Sequence, residues 1–270
     1  MNSMPDPDFS AMSAASIAQA DTSRWIAVLP LGAHEQHGPH LPCETDTLIA
    51  AGIVDRLKKK LPSKLKVTFL PVEPVGYSPE HLDWPQTRSL AYDEAINRWI
   101  AKGEYLNSLG IRKLVLLNAH GGNSPLMTIV ATELRTRFGM LCAATAWTRF
   151  ERPQGLIDPA QAALDIHGGD IETSVMLALH PEQVDMRKAR RFPSDQAKFE
   201  KRFKFLRAYG RHAFGWKMQD LNPQGAAGNA KSATASRGEQ LIENAVAGLV
   251  DLIKDVDKFD LSHFDREPKS

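Results

Sequence analysis

The sequence predicts an α/β fold, a single layered α/β/α domain with a mainly parallel sheet. Two observations predict it. Short apolar runs alternate with longer amphipathic ones along the whole chain, the pattern of strand–helix–strand units. The polar clusters richest in histidine and carboxylate stand directly behind the apolar runs, and in open α/β sheets ligands bind beyond the carboxyl ends of the strands.

Each element follows from its local pattern. WIAVLPLG (25–32) reads as a buried strand, and TDTLIAAGIVDRLKKKL (45–61) has helical spacing. KVTFLPVEPVG (66–76) contains a second strand over 66–72 and leads into a proline-broken loop. LAYDEAINRWIAKGEYLNSLG (90–110) is a helix ended by glycine, and RKLVLLNAHGGN (112–123) is a strand followed by a turn. SPLMTIVATELRTRFG (124–139) continues as a helix, with Ser124 as N-cap and Pro125 at its first position. MLCAATAW (140–147) is another strand, IETSVMLALHPE (171–182) another helix, and ASRGEQLIENAVAGLVDLIKDV (235–256) the final periodic segment. The expected organisation is a flexible lead-in over 1–23, one domain over 24–258 and a tail over 259–270.

Composition narrows the function classes. The chain has 270 residues, 43% apolar and 24% charged, as an ordinary soluble globular protein has. Thirty-three basic residues nearly cancel thirty-two acidic ones, so the net charge of +1 calls for neither nucleic acid nor an anionic membrane. The two cysteines, Cys43 and Cys142, make neither a disulfide scaffold nor a thiolate zinc site, which suits a reducing cytoplasm. The N-terminal stretch lacks a signal-peptide pattern, and no run is long enough to span a bilayer. The basic run at 187–211 alternates with acids and apolar residues and is expected to be a solvated face.

Six of the nine histidines fall in four segments, each placed behind a predicted strand. They are AHEQHGPHLPCETD (33–46), YSPEHLDWPQT (77–87), NAHGGN (118–123) and DIHGGDIETS (165–174). Zinc, manganese and iron favour imidazole with carboxylate where thiolates are absent. Glu35 and His37 are two apart, so an extended segment points both to one face. Asp46 either caps the next helix or returns to the same cavity, where a carboxylate can bridge two ions. His120 stands just beyond its strand, with Gly121 and Gly122 permitting close backbone approach. That turn matches neither a P-loop nor a dinucleotide fingerprint.

Taken together, GAHEQHGPHLPCETD, EHLDWPQTRSL, LLNAHGGN, HGGDIETSVMLALHPE and the late GAAGNAKSATASRGEQL resemble the creatininase family over about residues 25–256. The resemblance implies a metal-dependent amidohydrolase that cleaves a small cyclic amide, formamide or related amide. It also implies two divalent ions per subunit, zinc first, with manganese or iron as alternatives, and a homo-hexamer. Glu35, His37, Asp46 and His120 match metal ligands, with Asp46 as the bridge. His167 matches the histidine that transfers the proton, and Glu172 an acid at or beside the metals. Creatinine-cleaving members carry a metal-binding glutamate where this chain has Gly122. Asp170 is expected to replace it, from the position where many relatives have glutamate. Creatinine-cleaving members also place a tryptophan just ahead of the catalytic histidine, where this chain has Ala163 to Ile166.

Backbone N–H groups near Gly121 or Gly168 and Gly169 are expected at the oxyanion. His81, Trp84, Gly121, Gly122, Trp147, Gly168 and Gly169 are the expected pocket residues. Within the class, a creatinine amidohydrolase proper, a formamide deformylase and a mycofactocin-precursor-type peptidase are the alternatives. A catalytically idle binding relative is the alternative outside it.

Overall fold

Six consecutive buried residues, Ile26–Leu31, form strand β1 in the computed structural model, which describes residues 6–266. A five-residue helix, α1 (Ala14–Ala18), precedes it. β1 pairs in parallel with β2 (Val67–Phe69) on one side and β3 (Lys113–Asn118) on the other. β3 pairs in turn with β4 (Leu141–Ala146), so the strand order is β2-β1-β3-β4. Parallel pairing requires a crossover between strands. Helices α2 (Thr45–Lys60), α3 (Tyr92–Ser108) and α4 (Ser124–Phe138) supply the crossovers.

The period-two alternation of strand side chains divides the core in two. Ile26 and Val28 face Ile49, Ile53 and Leu57 of α2, together with α6 (Asp170–Leu179) and α9 (Ala235–Lys258). Ala27, Leu29 and Leu31 face Trp99 and Leu106 of α3 and Val130 and Leu134 of α4. Each large aliphatic side chain so buried contributes about 1.5–3 kcal/mol. The segment between β4 and α6 holds α5 (Pro159–Ala162). Between α6 and α9 lie β5 (Arg191–Phe192), α7 (Gln196–Arg202), α8 (Met218–Leu221) and β6 (Gly228–Asn229). β5 and β6 pair antiparallel, apart from the main sheet.

Several expectations shift. The second strand ends at Phe69, not 72, because Pro71 brings no N–H to the ladder. α4 begins at Ser124, and no side chain caps it. Asn123 ties loops together instead, accepting from the Tyr77 N–H at 3.0 Å and donating to the Gly32 carbonyl at 3.1 Å. The lead-in expected to be flexible is, in its described part, fastened to the sheet edge: Phe69 N–H donates to the Pro7 carbonyl at 2.8 Å, and Asp8 pairs with Lys58. In the tail, the Arg135 guanidinium lies 4.0 Å over the Phe264 ring and donates to its carbonyl. Residues 1–5 and 267–270 of the expected lead-in and tail lie outside the described residues. The basic run at 187–211 is more than a solvated face, since Phe192 and Ala208 are buried and Ala208 and Tyr209 line a cavity. Among the described residues no helix is long and apolar enough to cross a membrane.

Candidate active site and metal centre

The carboxyl ends of β1 and β3 lie side by side, with Leu31 in register with Asn118. The loops that leave them therefore meet over one edge of the sheet. The β1 loop brings Glu35 and His37, the first turn of α2 brings Asp46, the β3 loop brings His120, the approach to α6 brings His167, and the first turn of α6 brings Glu172. These are the residues that sequence places at strand ends, and the structure gathers them.

Asp46 stands at the middle of the cluster. Its Oδ1 is 3.5 Å from His37 Nε2 and its Oδ2 is 3.4 Å from His120 Nδ1. Glu35 Oε1 lies 3.2 Å from His120 Nδ1, and Glu172 Oε2 lies 3.8 Å from His37 Nε2. Among the described residues the ligand-type atoms fall into three overlapping groups: His37, Asp46 and Glu172; Glu35, Glu80 and His120; and Glu35, His37 and His167.

Backbone carbonyls fix which nitrogen each ring presents. A carbonyl only accepts, so His37 donates from Nδ1 to the Glu35 carbonyl (2.9 Å) and His120 donates from Nε2 to the Tyr77 carbonyl (3.0 Å). His167 donates from Nε2 to the Gln36 carbonyl at 2.7 Å. The lone pairs of His37 Nε2, His120 Nδ1 and His167 Nδ1 are thereby left facing the carboxylates, the arrangement outer hydrogen bonds impose on metal-binding histidines. His81 is turned the other way. The Gly38 N–H donates to Gln36 Oε1, so the Gln36 amide nitrogen donates to His81 Nδ1 at 2.8 Å. The His81 Nε2–H then faces Glu35 Oε1 at 3.4 Å.

Both oxygens of Glu35, Nε2 of His37 and Oδ2 of Asp46 are buried without a hydrogen-bond partner. Buried carboxylate oxygens left so are costly unless a cation compensates them. The electrostatics agree. Burial works against charge on His37, yet Asp46 and Glu172 push its pKa up to about 10. Burial likewise opposes charge on His120, and Glu35 and Asp46 raise it well above the usual histidine range. Burial pushes Glu172 up to about 7, against the pull of His37. The cluster calls for positive charge at its centre, and divalent metal fits the donor set.

Asp170 does not join this centre. Its carboxylate accepts from Arg237 Nη1 at 2.7 and 2.8 Å, from Ser174 Oγ at 2.9 Å and from Ser232 Oγ at 2.9 Å. The carboxylate expected to replace the missing ligand is thus engaged by Arg237 and two serines, because residue 170 lies two positions before Glu172 and the helix turns it toward α9. Glu172 takes the place beside His37. Its Oε2 is held by the Gly168 N–H at 2.7 Å.

A cavity of about 1180 Å³ opens above the cluster. His81, Gly121, Gly122 and Trp147 line it as expected, together with Glu35, His120, His167 and Glu172. Trp84, Gly168 and Gly169 do not. Trp84 packs among Met218, Leu221, Ile166 and Phe199. The Gly168 N–H is committed to Glu172, and Gly169 packs against Asp165. Sequence reasoning missed Glu80, Gln36, Asp165 and the aromatic walls Phe214 and Trp216. Glu80, beside His81 in the already conspicuous EHLDW stretch, was the one with a readable signal.

A model of the creatininase family, described as creatinine amidohydrolase, matches residues 10–253. The chain is 28% identical over 232 residues to the mycofactocin precursor peptide peptidase of Mycolicibacterium smegmatis, covering 85% of this chain and 84% of that protein. It is 27% identical to the creatinine amidohydrolase of Pseudomonas putida, covering 85% of this chain and 89% of the other. A crystal structure from Bacteroides fragilis, described as a candidate creatinine amidohydrolase, superposes with a TM-score of 0.73 at 25% identity, covering 94% of this chain and 97% of that one. A creatininase solved in a manganese form shares the fold, with a TM-score of 0.72 at 24% identity over 93% of this chain and 98% of the other. Members of the family are metal-dependent hydrolases that act on amide C–N bonds. With the family model spanning most of the chain and the sheet agreeing with the solved neighbours, this protein belongs to the creatininase family.

Proposed function

We propose that the protein hydrolyses the C–N bond of a small amide at a two-metal centre held by Glu35, His37, Asp46, His120 and Glu172. The observation that carries this reading is Asp46, whose two oxygens face two different histidines while its neighbours' buried polar atoms lack partners. Two divalent ions held there would lower the pKa of a water nucleophile and polarise the scissile carbonyl. Zinc is the first candidate, with manganese or iron as alternatives, because the donors are imidazole and carboxylate only.

The chain's own groups do the rest. His167 moves the proton. Its Nε2–H is spent on the Gln36 carbonyl, which leaves Nδ1 facing Glu35 Oε1 at 3.6 Å. Burial and the neighbouring His37 and His81 hold its pKa well below the usual histidine range, so the ring enters the reaction neutral. It can then accept a proton and deliver it to the departing nitrogen. Glu172, fixed by the Gly168 N–H, serves as a ligand beside His37. Since that N–H is committed, the Gly121 side of the cavity is the place for an oxyanion donor. Trp147 and Phe214 form apolar walls that keep bulk water from the reacting groups.

The cavity exceeds the ordinary small-molecule range of about 300–1,000 Å³. That favours an amide larger than creatinine, and a short peptide end is the second reading. We read residues 24–258 as the hydrolase domain and the assembly as a homo-hexamer. The two free thiols suit a reducing cytoplasm. Elemental analysis of protein purified without chelator, with turnover measured on cyclic amides, formamides and short peptides, tests the proposal. Two ions per chain and metal-dependent release of amine support it. One ion or none, with no turnover, makes the protein an idle binding relative. Native mass spectrometry tests the hexamer.

A further inference from the structure

Glu80 is the carboxylate at this centre that the proposed function leaves without a role. It follows the Tyr77–Ser78 turn at the start of the 3₁₀ turn Pro79–His81 and looks into the cavity. Its Oε1 lies 3.7 Å from His120 Nε2, the nitrogen that donates to the Tyr77 carbonyl, behind the Nδ1 that faces Glu35 and Asp46. Ligand-type atoms of Glu35, Glu80 and His120 all fall within 4.8 Å of one another, close enough to share one ion. Of those three residues, Glu35 carries two buried oxygens with no hydrogen-bond partner.

The backbone explains how Glu80 gets there. Gly122 presses against the loop that carries it. A methyl group built on Gly122 would stand 2.5 Å from the Tyr77 carbonyl and 2.9 Å from Glu80 Oε1, and would also overlap the His120 ring. Position 122 therefore cannot hold a side chain while the 77–81 loop is seated as it is. The volume such a side chain would need is used by the loop backbone and the Glu80 carboxylate. His81 follows at once, its Nε2–H facing Glu35 Oε1 at 3.4 Å, so the same short turn reaches that half of the centre twice.

We propose that Glu80 is a metal ligand, a carboxylate delivered by the 77–81 turn across the bare face of Gly122 to the ion shared by Glu35 and His120. The proposal rests on the metallohydrolase reading. It makes the two halves of the centre unequal. The Glu35 half gains a third carboxylate oxygen donor beside Glu35 and Asp46, while the other half keeps His37, Asp46 and Glu172. Oxygen-rich sets suit manganese better than thiolate or imidazole-rich ones do.

Chelator-stripped wild type, Glu80→Gln and Glu80→Ala would be titrated with manganese and, separately, with cobalt, reading metal per chain, the dissociation constant of each ion and the visible absorption of the cobalt protein. The expected result is two ions in the wild type. In both variants one of the two ions is weakened by at least about tenfold with a changed cobalt band, and the other is unaffected. The isosteric Gln variant decides the matter where the Ala variant does not fold, as judged by circular dichroism. Two ions held by the Gln variant with wild-type affinities and an unchanged cobalt spectrum would overturn the assignment. A wild type that binds no pair of ions would instead sink the metallohydrolase reading, and the ligand assignment with it.

Discussion

Arg237 grips Asp170 with one guanidinium nitrogen, Nη1, at 2.7 Å from Oδ1 and 2.8 Å from Oδ2, and so removes from the metal centre a carboxylate that the sequence assigns to it. The pair joins the first turn of α6 to the first turn of α9 and is mostly buried.

Asp170→Asn should therefore keep both ions and lose stability, by about 3 kcal/mol, since breaking such a pair leaves a buried arginine uncompensated. Glu172→Gln, two residues on, should do the reverse and release one ion at modest cost in stability. Metal analysis and urea unfolding on the two variants check this. Loss of an ion from Asp170→Asn would return that residue to the centre.

His167→Ala should retain both ions and lose turnover, on the order of 10²–10⁴-fold for removing a general acid–base group. Its Nδ1 faces Glu35 Oε1 at 3.6 Å, in a group with Glu35 and His37 whose atoms could also hold an ion, so ion count and turnover are read together. Metal content and kcat on whichever amide proves to be a substrate decide between roles. If the ion count falls with kcat, His167 is a ligand.

Asp165 gives a pH signature in stability. Burial pushes its carboxyl from 3.8 up to about 6, although the Asp170 and Ile171 N–H groups pull the other way at 2.7 and 3.2 Å. The folded chain thus holds this proton more tightly than the unfolded chain does. The stabilisation is full below the unfolded value of 3.8 and is lost as pH rises through about 6. Its span is on the order of 3 kcal/mol. Urea melts of wild type and Asp165→Asn across that range should show the wild type losing stability relative to the variant as pH rises. A constant difference would remove Asp165 as the cause.

Gly238 lies where α9 crosses α6, and a methyl group there would fall on the Ser174 carbonyl. Alanine usually stabilises a helix by about 1 kcal/mol over glycine. Gly238→Ala should instead destabilise by about 1–3 kcal/mol through overpacking. Thermal and urea unfolding measure the sign. A more stable variant would mean that the two helices can separate without penalty.

Much of the molecule was legible before folding. The strand at 25–31 and the helix at 235–256 follow from apolar period alone, and both stand in the structure as β1 and α9 within two residues. Glu35, His37, Asp46 and His120 could be read because each sits in a short motif at a strand end, where backbone direction already aims the side chain. Glu80 and Gln36 could not be assigned in the same way. Their roles depend on what stands opposite them: Gly122 and Glu35 for one, His81 and His167 for the other.

By itself the sequence determined the parallel α/β architecture and the histidine–carboxylate clusters, which follow from residue type, period and spacing over a few positions, and its motifs carried the resemblance to the family. Only the tertiary structure sets the Asp170 carboxylate on Arg237 and the Glu172 carboxylate beside His37, though the two stand in one helical turn. It also decided which ring nitrogen each histidine presents, because a carbonyl from a distant loop sets that choice. Ligand geometry depends on ångström-scale distances between segments remote in sequence, and those distances exist only once the sheet has brought its strand ends together.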